Sequence, residues 1–354
     1  MIVTREIIIK ALASVVEPEL KKDLVSLNFV EKIKIDENNI SLVVYTSNPA
    51  LHAKKRLKDA IEFNIKRFIS NKSYSINTQI KPAPKREKKS PLQNIKQVIA
   101  IASGKGGVGK STITANLACG LSKEGYKVGI IDADIYGPSM PTMFDVVNKR
   151  PKPIVTIDNE KKIEPINAHG IKLLSIGFFT EEENAIAWRG PMATRALEQL
   201  FVDAYWGELD FLLIDLPPGT GDIHLSLVQK FPPDGVIMVS TPQKIALADV
   251  KRGISMFQMD SINIPIIGLI ENMAWFSTEE NPKEKHYLFG RDGAQNLANG
   301  LNIPFLGSVP IIQSIREAGD AGIPSVLQKN TLSELTFKTI VNTFIATLNT
   351  PKNE

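Results

Sequence analysis

The chain has very little cysteine and no long apolar segment. Cys119 is the only cysteine among 354 residues, so no intramolecular disulfide can form, which suits a reducing cytoplasm. No apolar run approaches the roughly 20 residues that a membrane-spanning helix needs. The first residues, Met1 to Glu6, also lack the basic-then-apolar order of a signal peptide. The sequence therefore predicts a cytoplasmic protein without a membrane partner.

Excess charge of either sign is also scarce. The net charge is +4, from 42 basic and 38 acidic residues, and the short stretch 81–91 carries the whole excess. A nucleic-acid-binding domain usually spreads its basic residues over a folded face. We therefore expect a solvated linker in this stretch and no nucleic-acid partner.

The length predicts two domains, because one compact core seldom extends over so many residues. Residues 1–80 predict a small α+β domain with a helix from Thr4 to about Val15 and another from Pro49 to about Ile69. Its predicted strands are Val30–Ile35, Ile40–Tyr45 and Tyr74–Ile80. Residues 81–95 are basic, contain prolines and have little to bury, so they predict an interdomain linker.

Residues 96–354 predict an α/β domain with a mostly parallel sheet covered by helices. Short apolar runs alternate there with helical segments, and continuous β-branched runs are typical of strands buried on both faces. The runs are Val98–Ala102, Val128–Ile131, Phe211–Ile214, Gly235–Val239, Ile266–Ile270 and Phe305–Val309.

A phosphate-binding loop follows the first of these runs. The segment satisfies the pattern G-x-x-x-x-G-K-[ST] and opens a helix at about Lys110. Its residues are Gly104, Lys105, Gly106, Gly107, Val108, Gly109, Lys110, Ser111 and Thr112. The glycines let backbone N–H groups approach phosphate oxygens, and the helix N-terminus adds its positive dipole end. We expect Lys110 to reach the β- and γ-phosphates of ATP and Ser111 to bind Mg²⁺. The loop therefore predicts a P-loop ATPase.

Two acidic segments complete the predicted site. The apolar run Phe211–Ile214 ends in Asp215, which we expect to hold the Mg²⁺ shell, and Gly219 could bring a backbone N–H to the γ-phosphate. Asp134 lies where a carboxylate could orient the attacking water. For Asp132 a direct role and a strand-end or helix-capping role are equally open.

At this point the sequence resembles a known family. The second lysine of the loop, Lys105, is similar to that of the deviant Walker A class, which includes the nitrogenase iron protein and the division-site and partition ATPases. The resemblance implies that Lys105 crosses a homodimer interface to the partner's nucleotide and acts there in catalysis. We therefore expect a homodimer in which Lys105, Lys110 and Asp134 are catalytic.

Further segments resemble the Mrp (ApbC-like) ATPases, which are regarded as iron–sulfur cluster carriers. The segments are Asp132–Ser139, Trp188–Met192, Ile270–Met273 and Ile315–Gly322. Glu17–Leu20 and Asn48–Ala50 resemble the small domain that is often fused to these ATPases. The resemblance implies that Asn272 contacts the adenine. It also implies a cluster as cofactor, with apoproteins that receive clusters, or proteins that assemble them, as partners.

One feature departs from that family. Its members typically carry a Cys-x-x-Cys pair shortly after the Glu-Asn-Met segment, and two such pairs in a homodimer would supply four thiolates. Here the stretch Trp275–Tyr287 contains carboxylates and His286 but no cysteine. We identify no cluster ligand in the sequence, and we expect Cys119 to be a small buried hydrophobe.

Three functions remain open on this sequence. The first is a slow ATPase that serves iron–sulfur cluster assembly or transfer, helped by a partner that supplies thiolates. The second is a nucleotide-dependent dimerising switch of the positioning or partition class, without cluster chemistry. The third is an adaptor that binds ATP and hydrolyses it very slowly. A membrane-targeting switch would need a basic amphipathic C-terminal helix, whereas Leu332–Leu348 predicts a helix that packs on the core.

Overall fold

The structure is a computed structural model that describes residues 3–18, 21–27, 29–36, 38–48, 50–69, 74–82, 92–156, 159–179, 190–277 and 284–350. The chain divides into two compact units, Met1–Lys89 and Ser90–Glu354. The division falls within the segment predicted as a linker, of which residues 83–91 lie outside the described ranges. Both ends of the predicted linker belong to β-strands, because one strand extends to Pro82 and another begins at Ile95.

The N-terminal unit is a small α+β structure, as predicted. Its elements are α1 (Arg5–Leu12), β1 (Val16–Glu17), β2 (Lys22–Asp23), β3 (Val30–Asp36), β4 (Asn39–Thr46), α2 (Leu51–Phe68) and β5 (Ser75–Pro82). β4 lies between β3, to which it is antiparallel, and β5, to which it is parallel. Alternate residues of β4 are buried, namely Ile40, Leu42 and Val44, and they join apolar residues of both helices in one core. Thr4 occupies the N-cap position of α1, but its side chain makes no capping hydrogen bond.

The larger unit contains the remaining elements. Its strands are β6 (Ile95–Ser103), β7 (Val128–Asp132), β8 (Lys152–Val155), β9 (Lys161–Glu164), β10 (Ile166–Ala168), β11 (Ile171–Ser175), β12 (Leu209–Asp215), β13 (Gly235–Ser240), β14 (Ile266–Phe276) and β15 (Phe305–Ile311). Its α-helices are α3 (Lys110–Lys123), α4 (Met140–Met143), α5 (Gly190–Val202), α6 (Asp222–Lys230), α7 (Lys244–Phe257), α8 (Gly293–Gly300), α9 (Gln313–Asp320) and α10 (Leu332–Asn349). Two 3₁₀ turns, Ile176–Phe179 and Ser325–Leu327, complete the set.

Eight strands of this unit form one sheet in the order β10-β11-β7-β12-β6-β13-β14-β15. Every neighbouring pair is parallel except β10 and β11. All six apolar runs lie within strands of this sheet, so the prediction of a mostly parallel sheet is confirmed. The antiparallel hairpin of β8 and β9 was not predicted from the sequence, because its strands are short and largely exposed and have no continuous apolar run.

The sheet is buried on both faces, which explains its continuous apolar strands. In β6, Val98 and Ala100 face the core that contains α5, α6, α7 and α8, whereas Ile99 and Ile101 face the core that contains α3 and α10. α10 contributes Phe337, Ile340, Val341 and Phe344 to the second core, so the predicted core-packing helix is present. No helix in the described ranges is both long and apolar enough to cross a membrane.

The chain reverses its direction of travel across the sheet at β6. From β6 it passes over β12 to reach β7, and from β12 it continues to β13 on the other side of β6. In a parallel sheet such a reversal opens a crevice at the carboxyl ends of the strands. The loop after β6, Asp132 at the end of β7 and Asp215 at the end of β12 therefore meet at one edge.

Candidate nucleotide-binding site

The P-loop connects β6 to the N-terminus of α3, and two of its glycines are required by geometry. Gly109, the N-cap residue of α3, has φ of 82°, and a Cβ there would lie 2.1 Å from Asn272 Nδ2. A Cβ on Gly104 would lie 2.4 Å from the carbonyl carbon of Asp249 in α7. A larger residue at either position would collide with Asn272 or with α7 and would displace the loop, so both positions require glycine.

The Lys110 side chain extends from the first residue of α3 toward the carboxylates of Asp134 and Asp215, which we call the acidic edge of the sheet. Its Nζ lies 2.9 Å from Asp215 Oδ2 and 3.7 Å from Asp134 Oδ2, and the side chain is only 6% exposed. The structure thus brings three of the predicted site residues into one buried ion-pair network. The ammonium could exchange these carboxylates for phosphate oxygens by a change of side-chain rotamer.

Asp215 is held by two hydroxyl groups from the N-terminal part of α3. Ser111 Oγ donates to Asp215 Oδ2 at 2.6 Å, and Thr114 Oγ1 donates to Asp215 Oδ1 at 2.7 Å. A hydroxyl and a carboxylate are hard oxygen ligands, which Mg²⁺ prefers. Ser111 and Asp215 therefore fit the Mg²⁺ that the sequence predicts. Thr114 was missed, although its spacing of three residues from Ser111 on a helix could have revealed it.

The two carboxylates after β7 have different surroundings. Asp132 is fully buried and accepts hydrogen bonds from Ser175 Oγ (2.9 Å), from Met140 N (3.1 Å) at the start of α4 and from Asp134 N (3.3 Å). Burial, with the nearby charge of Asp215, raises the pKa of Asp132 to about 7. Of the two roles left open for Asp132, the structure displays the strand-end and helix-capping one.

Asp134 lies closer to solvent and faces the P-loop. It lines the same small cavity as Lys110 and Ser111. Burial raises the pKa of Asp134 above its ordinary value, with a contribution from Asp215 and against the opposing charge of Lys110. A carboxylate with a raised pKa in this position is a stronger base than an exposed aspartate.

Gly219 lies in the segment that joins Asp215 to α6. Its φ is 85°, a left-handed conformation that glycine adopts readily, and its N–H donates to Ser103 O at 3.0 Å. The predicted contact with a γ-phosphate stays a prediction, and it requires this hydrogen bond to break. We call residues 216–221 the switch segment.

Lys105 is half-buried on the P-loop and does not join the ion pairs around Lys110. Its Nζ lies 3.4 Å from Oε1 of Gln243, the N-cap residue of α7. No ion pair of Lys105 occurs within the described part of the chain. Its role across a dimer stays a prediction.

A larger cavity adjoins the phosphate-sized one. The larger cavity has a volume of about 710 Å³ and the smaller one about 250 Å³, and both are lined by Gly109, Thr112, Ser139 and Met143.

The lining of the larger cavity suits an adenosine. Its walls are mostly apolar, with Met273, Phe289 and Ile312 among them. The Ser139 hydroxyl lines both cavities, and its buried oxygen has no hydrogen-bond partner among the described residues. Asn272 also lines the larger cavity, but its Nδ2 donates to Val108 O at 2.8 Å and so braces the P-loop. The predicted contact of Asn272 with adenine stays a prediction.

The neighbours of Asn272 have separate roles that the sequence did not indicate. Glu271 is buried, and its Oε2 accepts a hydrogen bond from Ala294 N at 2.6 Å, so it caps the N-terminus of α8. Burial raises the pKa of this carboxyl group. Met273 has φ of 56° and turns toward the cavity. In the Glu-Asn-Met segment, Glu271 therefore caps α8, Asn272 holds the P-loop through Val108, and Met273 lines the larger cavity.

The structure places no thiolate near a surface. Cys119 is fully buried in α3, and burial raises the pKa of its thiol to about 12. After β14, Phe276 and His286 exchange two backbone hydrogen bonds of 2.9 and 2.8 Å. Residues 278–283, including Glu279 and Glu280, lie outside the described ranges, as do residues 188 and 189 of the Trp188–Met192 segment. In the part of the chain that is described, no three His, Cys, Asp or Glu residues are grouped to hold a metal ion.

Two family models match the chain. Residues 94–345 match the ParA model, described as NUBPL iron-transfer P-loop NTPase. Residues 5–71 match a model described as iron–sulfur cluster assembly protein. Together they cover most of both units.

Individual relatives agree with the family models. The chain is 36% identical over 334 residues to the iron–sulfur cluster carrier protein of Synechocystis, covering 92% of each chain. Among solved structures, it is 37% identical, with a TM-score of 0.58, to a nucleotide-binding protein from Archaeoglobus fulgidus in complex with ADP, covering 68% of this chain and 92% of that one. The cell division ATPase MinD from Pyrococcus furiosus has a TM-score of 0.52 at 22% identity, over 71% of this chain and 99% of that one, which indicates a shared fold.

Proposed function

The chain belongs to the family of NUBPL-type iron-transfer P-loop NTPases, and on that premise we propose that it hydrolyses ATP to drive the transfer of iron–sulfur clusters to recipient proteins. The observation that carries the proposal is the meeting of Lys110, Ser111 and Asp215 at the carboxyl edge of the sheet. These are the groups that a P-loop NTPase uses on its phosphates and metal ion.

ATP binds along the two adjoining cavities. Its phosphates lie against the N–H groups of the P-loop and the N-terminus of α3, where the helix dipole favours negative charge. Its adenosine occupies the larger apolar cavity, and Asn272 contacts the adenine there. The relative that was solved with ADP supports this assignment of ligand class.

Hydrolysis uses the acidic edge. Asp134 orients the attacking water and accepts its proton, for which the raised pKa of this carboxyl group suits it. Lys110 leaves its ion pairs with the carboxylates and binds the phosphates. Ser111 and Asp215 would hold Mg²⁺, which would supply positive charge against the phosphate oxygens. The products are ADP and inorganic phosphate.

A homodimer completes this site in the proposal. Among the described residues of its own chain, the Lys105 ammonium donates one long hydrogen bond, to Gln243 Oε1 at 3.4 Å, and its remaining N–H groups can serve a second copy. Across the interface it would meet charge that develops on the transferred phosphoryl group. Its charge then contributes mainly to the rate and little to nucleotide affinity.

The cluster reaches this protein as cargo held partly by another molecule. A four-iron cluster is normally anchored by four cysteine thiolates. A dimer of this chain has only the two copies of Cys119, both buried and protonated. Partner proteins, either cluster-assembly proteins or recipient apoproteins, therefore supply the thiolates. The predicted cytoplasmic location is compatible with such partners.

The proposal is tested by coupling phosphate release to cluster transfer. A cluster-loaded assembly protein and an apoferredoxin are mixed with this protein and Mg²⁺-ATP. Transfer is followed by the visible charge-transfer band of the ferredoxin, and phosphate is measured in the same samples. We expect transfer to accelerate with ATP and to slow in Asp134→Asn, which should still bind ATP.

Two outcomes would contradict the proposal. Transfer that proceeds equally with ATP, with ADP and without nucleotide would remove the role of hydrolysis. ATP turnover without any effect on transfer would favour the alternative, a dimerising switch without cluster chemistry. Lys338→Ala, on the exposed face of α10, is a suitable control that should behave as wild type.

A further inference from the structure

A histidine lies buried directly after the switch segment. His224 is in the first turn of α6, and its side chain is 2% exposed. Its ring packs against that of Phe257 at the end of α7, with 5.4 Å between centroids and 56° between planes. The proposed hydrolysis assigns this imidazole no role.

The imidazole is polar but makes no hydrogen bond that meets ordinary geometry. Neither Nδ1 nor Nε2 has a partner within the described residues. Burial lowers the pKa of His224 to about 4, against opposing effects from the backbone of Pro217 and Gly219 in the switch segment. The ring is therefore neutral and carries one donor and one acceptor. The backbone groups of Pro217 and Gly219 are near enough to act on the ring, but neither ring nitrogen makes a hydrogen bond of ordinary geometry with a described residue.

A buried donor without a partner raises the free energy of the state that contains it. The conformation described here is therefore less favourable at His224 than one in which a switch carbonyl turns toward the ring. The same segment is held by a second bond, because Gly219 N–H donates to Ser103 O. That bond keeps Gly219 N–H from a γ-phosphate.

These two observations concern the same short segment. Releasing Gly219 N–H from Ser103 rotates the peptide that joins Pro218 to Gly219, and glycine can absorb the change in backbone angles. Such a rotation also moves the neighbouring carbonyl groups of Pro217 and Gly219. A carbonyl that gains alignment with the imidazole would satisfy its donor at the moment when Gly219 N–H becomes free.

We propose that His224 is a positioning residue that stabilises the triphosphate-engaged switch, by donating its ring N–H to a carbonyl of Pro217 or Gly219 once Gly219 N–H has left Ser103. The proposal rests on the proposed ATP hydrolysis and deepens it, since it assigns the sensing of the γ-phosphate to a named pair of hydrogen bonds. ADP lacks the γ-phosphate and does not draw Gly219 away. His224 therefore affects the binding of ATP and leaves that of ADP unchanged.

The test compares two substitutions. His224→Phe keeps a planar ring without a donor, and His224→Gln keeps an amide donor. For His224→Phe we expect affinity for a non-hydrolysable ATP analogue, and kcat, to fall by about tenfold, while ADP affinity stays within twofold (about 1.4 kcal/mol for each tenfold change). His224→Gln should recover part of both losses.

A packing control separates this role from a structural one. Phe257→Leu removes the ring contact but leaves the imidazole donor, so it should lower the melting temperature without changing the ratio of ATP-analogue to ADP affinity. If Phe257→Leu changes that ratio as much as His224→Phe does, the proposal is wrong. It is also wrong if His224→Phe weakens both nucleotides equally or neither.

A measurement on the unmodified protein covers the case in which His224→Phe does not fold. The chain has four histidines, so ¹⁵N-histidine NMR is tractable, with assignment by His224→Gln. Adding the non-hydrolysable analogue with Mg²⁺ should shift the His224 ring N–H into the hydrogen-bonded range, whereas ADP should not. An unchanged His224 signal with bound analogue overturns the proposal. A protein that binds the analogue with this shift but hydrolyses no ATP would instead refute the proposed function alone.

Discussion

The start of α3 and its third turn lie in very different surroundings. At the start, Lys110, Ser111 and Thr114 all contact Asp215. About two and a half turns later, Cys119 is enclosed by apolar residues of the second core. The same helix therefore has charged and hydroxyl side chains at the predicted phosphate site and an inert, buried thiol farther along. What decides between them is the surface against which each turn packs, since burial without a polar partner disfavours a charged group.

The largest expected effect is that of removing the Lys110 ammonium at the start of α3. Lys110→Ala should abolish turnover and most ATP affinity, a loss of about 3 kcal/mol or more in the transition state. The substitution also leaves Asp134 and Asp215 without their cation. Phosphate release and nucleotide titration measure both effects. Lys123→Ala, at the other end of α3 and paired with Glu334, is the matched control and should retain activity. Wild-type turnover by Lys110→Ala would refute the P-loop assignment.

A second, smaller effect is expected at Lys105, the P-loop lysine that lies outside the ion-pair network. Lys105→Ala should keep ATP affinity and lose about 10²-fold in kcat, because its charge acts in the transition state across the dimer. Mixed dimers provide the measurement. A site formed by a Lys105→Ala P-loop and a wild-type partner should recover turnover, and absence of any recovery would show that the role in trans is wrong.

A smaller effect concerns the hydroxyl that the sequence reasoning missed. Thr114→Val keeps the shape of the side chain but removes a buried donor to Asp215 Oδ1. We expect a loss of about 1–3 kcal/mol in the free energy of unfolding, together with a weaker dependence of activity on Mg²⁺. Urea unfolding and a Mg²⁺ titration of turnover test this. Thr112→Ser, which keeps a hydroxyl on the same helix, should change stability less.

The smallest expected effect is at Cys119. Anaerobic reconstitution followed by desalting should leave little iron or sulfide on the protein, and Cys119→Ser should not change that amount. The folded thiol should also resist iodoacetamide at pH 8, because its pKa is raised to about 12 by burial, and it should react once the chain is unfolded. Near four irons per dimer, retained in Cys119→Ser, would contradict the ligand argument. Retention lost in Cys119→Ser would show that the thiol is accessible.

Much of the fold follows from local sequence. Buried strands such as β6 and β12 are continuous apolar runs, and the P-loop pattern places Lys110 at the start of α3, as the structure does. The predicted linker was too long at both ends, because Lys81 and Pro82 continue the pairing with β4 and Ile95 is buried. The β8–β9 hairpin escaped prediction because short, exposed strands have no distinctive periodicity.

The site was predicted unevenly. Lys110, Ser111, Asp134 and Asp215 were predicted because each stands in a recognisable pattern at the end of a strand or the start of a helix. Thr114, Ser139 and His224 were not, since a hydroxyl or an imidazole within a helix or turn has no pattern of its own. Their importance depends on neighbours that are distant in sequence, such as Asp215 for Thr114.

The class of protein can be inferred from the amino-acid sequence alone, because the P-loop, the two acidic strand ends, the parallel sheet and the shortage of cysteine are all local or countable properties. Which polar groups act together became clear from the three-dimensional arrangement. It assigned Asp132 to hydrogen bonds with Ser175 and Met140, Asn272 to the P-loop carbonyl of Val108, and His224 to a buried position against Phe257. The physical reason is that burial and hydrogen-bond geometry depend on contacts between segments far apart in the chain, and these contacts exist only once the sheet has assembled.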